Sequence, residues 1–371
     1  MEGHRGCGKR ARAEARNPTM ANEVNGQPAG AAPIADERDS ARWRRPLLIA
    51  AGVYVAATGV AVALAGEILL SRDVVFAWLM GGLLILSLNN PGRWARGLVV
   101  DWLPFILFLF AYDYARSIAD TTGFTPHLSP QLHVEKLLFG FPYPTVSLQR
   151  HLYHPPGAAW YDYGVWGVYL THFFGTLTVA ALTWRFAYPL FKRWRTLVIW
   201  LSSLGFVTYV LYPAVPPWLA SRTGQIPHIE PIKDEMFRHT GTTALSSAVE
   251  KNWVDQVAAV PSLHSAFPLM MMLLFWHRGW RWRIPFALYT LAMAFTLVYT
   301  GEHFAVDILV GWAYALIVYF AVSRWWRWRA ARAAAQETGA TGPSALAPRR
   351  AEQPEPAVSY SGGPGSAPDP G

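Results

Sequence analysis

The sequence predicts an all-α fold, a polytopic bundle of about eight transmembrane helices, on three observations. The 371-residue chain is 52% hydrophobic and 14% aromatic, too apolar for an ordinary soluble domain. Its apolar residues fall into runs close to the roughly 20 residues that cross a bilayer as helix. Its basic residues fall in alternate loops, the pattern of cytoplasmic segments.

Residues 1 to about 45 are polar, Ala/Gly-rich and charged, and read as a disordered cytoplasmic tail. This tail lacks the short apolar core and small-residue cleavage site of a secretory signal, so Pro46–Ala65 reads as a first anchor. Further runs are Val74–Leu88, Val99–Ala115, Tyr161–Thr183, Leu197–Tyr212, His264–Trp276, Ile284–Tyr299 and Phe304–Val322. The run at His264 is short for a span. Four domains follow from this pattern: the tail 1–45, two anchoring helices in 46–98, a catalytic membrane domain 99–323, and a basic anchor with a second disordered tail in 324–371. That last tail begins near Ala334, where the sequence turns rich in Pro, Gly, Ala and Ser.

Arginines and lysines set the orientation. They cluster at Arg42, Arg44 and Arg45, at Arg93 and Arg96, from Arg185 to Arg195, from Arg278 to Arg283, and from Arg324 to Arg332. Eight spans with both termini in the cytoplasm satisfy every short loop. The net charge of +8 is therefore topology signal, and no concentrated basic face of the kind that binds nucleic acid is present. Cys7 is the only cysteine, which excludes an internal disulfide and a cysteine metal site.

Two long outer segments interrupt the spans. Ile118–Trp160 carries six prolines and the apolar stretch Leu137–Phe141, and reads as short helices lying along the membrane surface. Ala214–Val260 opens on Pro216-Pro217-Trp218, which reads as an abrupt end to the fifth span with an interfacial tryptophan. Each is a lid, a substrate entrance or a plain connection.

The candidate chemistry lies at the outer ends of two spans. His303 and Asp307 are four residues apart at the start of the last span, hence on one helix face. Ionisable groups inside a span are costly and are functional candidates. Asp307 can accept a hydrogen bond from one ring nitrogen of His303 and raise the nucleophilicity of the other. The plain alternative is an i,i+4 pair that satisfies two polar groups. His264 begins the sixth span on the same face. Two histidines and a carboxylate suit phosphoryl transfer, one histidine attacking phosphorus and the other protonating the leaving alkoxide. Ser262 is placed to bind a phosphate oxygen or to cap the helix that begins at His264. Arg116, closing the third span, would bind phosphate bidentately, or pairs with Asp113 or Asp120. His127, His133, His151 and His154 lack metal-ligand spacing on a helix, and His172 reads as a polar residue lining the bundle.

Pro261-Ser262-Leu263-His264 and Gly301-Glu302-His303-Phe304-Ala305-Val306-Asp307 resemble the second and third motifs of the type-2 phosphatidic acid phosphatase superfamily. Leucine at 263, where most members have glycine, makes the chain most similar to the inositol phosphorylceramide synthase (inositolphosphotransferase) branch. Leu138-Phe139-Gly140, Pro144-Thr145, Leu148-Gln149, Tyr169, His172-Phe173, Tyr212-Pro213 and Pro216-Pro217 support it, so the resemblance spans about 101–322. It implies a six-helix core and metal-independent catalysis through a phosphohistidine, with no cofactor. It also implies His303 as nucleophile, Asp307 as its orienting partner and His264 as general acid. Two features depart from the family. Thr296 and Leu297 stand where the third motif opens with Ser-Arg, and the first motif has no outer-face counterpart. Arg38 to Arg45-Pro46 matches its spacing, but on the cytoplasmic side. Arg116 is the substitute cation.

The expected activity is cleavage or transfer of a phospholipid phosphate ester at the outer face. Water as acceptor gives a lipid phosphatase; a lipid or sugar alcohol gives a phosphotransferase. A proton-coupled transporter is the alternative from another class.

Overall fold

In chain order, the apolar runs become helices joined by two folded loops. A computed structural model describes residues 46, 49–60, 72–86, 96–117, 124–155, 157–239 and 257–340. The first three helices are α1 (Ile49–Val60), α2 (Arg72–Leu86) and α3 (Leu103–Ser117), α3 being entered through a wider π-type turn at Leu98–Trp102. The first long loop holds α4 (Ser129–Phe139) and α5 (Pro144–Leu152). Next come α6 (Trp160–Phe186) and α7 (Tyr188–Leu211), then α8 (Pro217–Arg222) and α9 (Ile232–His239) in the second loop. The chain closes with α10 (Leu263–Phe275), α11 (Trp280–Tyr299) and α12 (Ala305–Ala340). Among the described residues there are no strands, only isolated bridges.

Among the described residues each of the eight expected runs falls on a helix, the polytopic bundle that the hydropathy predicts. Among the described residues, α6, α7, α11 and α12 are long and apolar enough to cross a bilayer. The other four are shorter, α10 having only 13 residues. The expected tail 1–45, with Cys7 and Arg38, and the loop carrying Arg93 lie outside the described residues, as does the side chain of Arg116.

Helix α7 begins well before the apolar run at Leu197. Lys192, Arg193 and Arg195 extend it, because long basic side chains favour helix and can run their stems along apolar surface. A single residue, Ala187, separates α6 from α7. There Asp101, buried at the start of α3, accepts from Trp184 Nε1 and Tyr188 Oη at 3.0 Å and pairs with Arg195 at 3.3 Å. A buried carboxylate so surrounded has partners for both of its oxygens. The fully buried Trp102, Trp184, Phe191 and Trp194 pack this end.

At the opposite end the two long loops are stitched together. His127 N donates to Pro213 O at 2.8 Å and Val215 N to His127 O at 2.9 Å, while Ala214 and Val257–Ala259 exchange two further backbone bonds. Contrary to the expectation, the double proline does not end the fifth span. Helix α7 stops at Leu211, and Pro216-Pro217 open α8 instead. Proline fits a first helical turn, whose N–H groups lack intrahelical partners anyway.

The chain divides into two compact units, Met1–Val322 and Ser323–Gly371. In the second, Arg329 and Arg332 stack over Trp325 and Trp328 at 5.2 and 4.1 Å, cation–π pairs at helical spacing. Its helix continues past Ala334 to Ala340, since the alanine-rich stretch has high helix propensity although it is not apolar enough to count as span.

Candidate active site

Helices α10 and α12 both begin where α7 and α11 end, which brings the two histidine motifs together. After α11, Gly301 adopts φ +77°, a conformation that L side chains rarely take. Glu302 N and His303 N then both donate to Leu297 O, at 3.0 and 3.2 Å. Phe304, fully buried against Leu128, Val215, Ala220 and Ile226, anchors the turn. His303 thus lies just before α12 rather than on it.

His303 is 5% exposed, and both ring nitrogens have neighbours. Nδ1 lies 3.0 Å from the carbonyl oxygen of Ala259. A carbonyl only accepts, so this contact assigns the proton to Nδ1 and leaves a lone pair on Nε2. Nε2 faces His264 Nδ1 at 3.4 Å. Asp307 Oδ2 stands 3.7 Å behind Nδ1, too far for the direct hydrogen bond that the sequence suggested. The orienting acceptor is a backbone carbonyl from the second loop, with the carboxylate's charge behind it.

Asp307 is fully buried. Its Oδ2 accepts from Phe304 N at 2.9 Å and its Oδ1 from Gln131 Nε2 at 3.2 Å. One helical turn along α4 from Gln131, the fully buried Glu135 accepts from Ala305 N at 3.0 Å and Val306 N at 2.8 Å. These are first-turn amides of α12, which have no intrahelical acceptor and favour a negative charge. Burial pushes the Glu135 carboxyl up to about 6, Asp307's charge adding to the shift and the two amides opposing it. Helix α4 therefore holds the start of α12 through two side chains on one face. The same helix leaves Val134, Leu137 and Leu138 exposed. Sequence reasoning took α4 only as a surface helix. Gln131 and Glu135 stand at i,i+4 with His133 between them and Lys136 beside them, so the local sequence carried no signal for this role.

His264 sits in the first turn of α10, held from two sides. Ser262 N donates to the backbone oxygen of Asp307 at 3.1 Å, and Tyr209 Oη to Pro261 O at 2.8 Å. The Ser262 carbonyl presses so closely on Gly311 of α12 that a Cβ there would lie 2.3 Å from it. Only glycine admits this approach. The His264 ring also packs on His172 of α6, centroids 3.8 Å apart, and lies parallel to Tyr169 at 6.0 Å. His172 does line the bundle, and what it lines is the second histidine.

Ser262 Oγ is fully buried, has no hydrogen-bond partner and does not cap α10. Ser265 Oγ instead donates to the Ser262 carbonyl at 3.0 Å. Arg116 lies in the last turn of α3. Of the loop histidines, His151 and His154 bond nearby carbonyls, and His127 stacks on Tyr212 at 4.3 Å. Among the described residues no group of three His, Cys, Asp or Glu could hold a metal ion.

A lone pair on one buried imidazole facing a second imidazole, with a carboxylate behind the first, can attack an electrophile and return a proton to a leaving group. The family model of the PAP2 superfamily matches residues 145–335, so the chain belongs to that superfamily, the type-2 phosphatidic acid phosphatases. It is similar to the phosphoinositol dihydroceramide synthase of Bacteroides thetaiotaomicron, 28% identical over 255 residues, covering 63% of this chain and 79% of that protein. It is also similar to the inositol phosphorylceramide synthase catalytic subunit aur1 of Schizosaccharomyces pombe, 24% identical over 176 residues, covering 43% of this chain and 38% of that one. No solved structure matches. Family and relatives make the protein a membrane enzyme acting on lipid phosphate esters, a phosphotransferase or phosphatase.

Proposed function

We propose that the protein transfers a phosphoinositol-type head group from a phospholipid to a lipid alcohol through a phosphohistidine. The observation that carries the mechanism is the contact of His303 Nε2 with His264 Nδ1 at 3.4 Å, while His303 Nδ1 is held by Ala259 O at 3.0 Å. In the first half-reaction Nε2 attacks phosphorus, the phosphorus–oxygen bond to the lipid alcohol breaks, and His264 gives its proton to the departing alkoxide. In the second, His264 takes a proton from the incoming hydroxyl as its oxygen attacks phosphorus and releases His303. Proton and phosphoryl group balance over the cycle. Positive charge on the phosphorylated His303 ring is stabilised by Asp307, 3.7 Å from Nδ1.

Arg116 and the buried hydroxyl of Ser262 are the proposed phosphate contacts. This chemistry uses no metal ion and no cofactor, and a chelator is expected to leave the rate unchanged. The charge pattern of the loops supports a site on the outer face with both termini in the cytoplasm, and a catalytic domain of about 99–323 behind two anchoring helices in 46–98. The transfer reading follows the two synthases; hydrolysis shares its first half-reaction and differs only in the acceptor. The proton-coupled transporter is set aside, because the histidines cluster at one end of the bundle and the family is enzymatic.

The deciding experiment presents purified protein in mixed lipid with phosphatidylinositol labelled at phosphate, alongside His303→Ala. Label moving onto a second lipid alcohol in a His303-dependent way is the expected result. Label appearing as water-soluble inositol phosphate would make it a hydrolase, and no His303-dependent release would remove the enzymatic reading.

A further inference from the structure

Helix α4 holds the start of α12, and it also carries exposed apolar side chains that the proposed chemistry leaves unused. Successive residues of a helix stand about 100° apart around its axis, which sorts the side chains of α4 into three arcs. Gln131 and Glu135 are buried, and bond Asp307 and the first amides of α12. Val134, Leu137 and Leu138 span an adjoining arc of about 100° and are exposed, Leu137 to 76%. His133 and Lys136 form the third arc, exposed and polar. One arc on protein, one apolar and one polar is the pattern of a helix lying at the boundary of lipid and water.

The apolar surface continues past the end of the helix. Gly140 turns the chain at φ +82°, and Phe141 beyond it is 64% exposed. The Phe141 ring meets Tyr143 edge-on at 5.5 Å, and Tyr143 meets Phe304 edge-on at 6.5 Å. Phe304 follows His303 and anchors the catalytic turn. Two routes therefore lead from exposed apolar side chains to the site. One runs through α4 to Asp307, the other through this aromatic row to the turn that bears His303.

The level of the surface decides what covers it. Helix α12 is long and apolar enough to cross a bilayer. Glu135 bonds the first-turn amides Ala305 N and Val306 N at 3.0 and 2.8 Å, which fixes α4 where that span leaves the hydrocarbon. Apolar side chains exposed at that level meet lipid. Held in bulk water, the same patch would be an aggregation liability.

We propose that α4 and Phe141 are seated in the lipid surface at the histidine end of the bundle, and that this contact keeps Gln131 and Glu135 in place against Asp307 and the start of α12. The phase that carries the substrate then also sets the carboxylate behind the nucleophile. Helix α4 touches no reacting atom, so its role is positioning.

The seating is read as depth. Full-length protein with Cys7→Ala, which removes its sole cysteine, takes one nitroxide label at Leu137→Cys, Phe141→Cys, His133→Cys or Lys136→Cys, in vesicles of phosphatidylcholine and phosphatidylglycerol. Labels at 137 and 141 should collide more with oxygen, which partitions into lipid, than with a water-soluble nickel chelate. Labels at 133 and 136 should show the reverse. A preference for nickel at 137 and 141 overturns the proposal. So does shielding from both reagents, which would mean that a second copy or another protein covers the patch.

The coupling is read as rate, with phosphatidylinositol in the same vesicles. The pair Leu137→Gln with Leu138→Gln alters only exposed side chains, so its unfolding midpoint in detergent should stay near that of wild type. Its kcat should fall about tenfold, part of what a misplaced catalytic group costs, with KM as lipid mole fraction little changed. Phe141→Ser tests the second route and should behave alike, while Leu137→Met with Leu138→Met keeps the apolar arc and should match wild type. Full activity of the glutamine pair overturns the coupling, as does a rise in KM at unchanged kcat, which would make α4 a collector of substrate alone. Only the rates rest on the phosphotransfer reading above. No turnover of any lipid by wild type would end that reading, and the label depths would still decide the seating.

Discussion

Replacing Gly311 with alanine tests how the two histidines are brought together. The new methyl would lie 2.3 Å from the Ser262 carbonyl oxygen, 3.1 Å from its carbon and 3.0 Å from Ser265 Oγ. Carbon and carbonyl oxygen settle at about 3.3 Å or more, so one backbone must retreat by about 1 Å. The obstacle is main chain, so no rotamer change relieves it. Both sides are held, Ser262 N by Asp307 O at 3.1 Å and Pro261 O by the Tyr209 hydroxyl at 2.8 Å. Overpacking of this kind costs about 1–3 kcal/mol, which a bundle of this size should survive. The displaced segment carries His264, and a shift of about 1 Å in a catalytic group costs about 10²-fold in rate. Gly205→Ala is the control: its methyl would meet Leu263 side-chain atoms from 2.9 Å, and a flexible side-chain end can move aside. The assay pairs thermal unfolding in detergent with initial rates of labelled phosphate transfer. Gly311→Ala should remain folded and lose about two orders of magnitude in kcat, with Gly205→Ala much closer to wild type. Wild-type rate and stability in Gly311→Ala would refute the claim that this contact sets the His264–His303 distance.

Asp307→Asn should fold, since an amide can still meet Gln131 or Phe304 N, yet kcat should fall by about 10–100-fold with KM little changed; full activity would remove the carboxylate's charge from the mechanism. Glu135 titrates at about 6 instead of 4.5, so the native state holds this proton more firmly than the unfolded chain. Its contribution to stability is then greatest below pH 4.5 and is lost as pH rises through 6, a difference of about 2 kcal/mol. Denaturant unfolding at pH 5 and 7.5 should show that slope in wild type and a flatter one in Glu135→Gln; equal slopes would refute the assignment. Glu135→Gln also sets an amide NH₂ against a buried backbone N–H, a loss of about 1–3 kcal/mol, read as a lower unfolding midpoint at pH 7.5. Reporter fusions at 93 and 280 should face the cytoplasm and one at 235 the outside; a cytoplasmic signal at 235 would overturn the orientation.

The helices were legible because lipid leaves the backbone no solvent partner, so a long apolar run must satisfy its own hydrogen bonds. Their ends were less so: α7 extends back through Lys192, Arg193 and Arg195, where hydropathy drops but helix propensity does not. His264, His303 and Asp307 could be read as a group because each stands beside the start of an apolar run. Glu135 and Gln131 could not, since the groups they hold lie about 170 residues further along the chain, as in the 170-residue separation of Glu135 and Ala305. Nothing local distinguishes such a pair from polar residues that face solvent on a loop helix.

The sequence alone is enough for an all-helical membrane chain, the approximate places of its spans, and two histidines with a carboxylate as a candidate group. Period, run length and residue chemistry are local properties, and these conclusions need nothing else. Tertiary structure alone decided which acceptor holds His303, the Ala259 carbonyl ahead of Asp307. It also decided that α4 carries the start of α12 and that Gly311 admits the Ser262 turn. Each of these is a meeting of segments far apart in the chain. Such a meeting depends on how whole helices pack at one end of the bundle, and packing leaves no periodic trace in either segment.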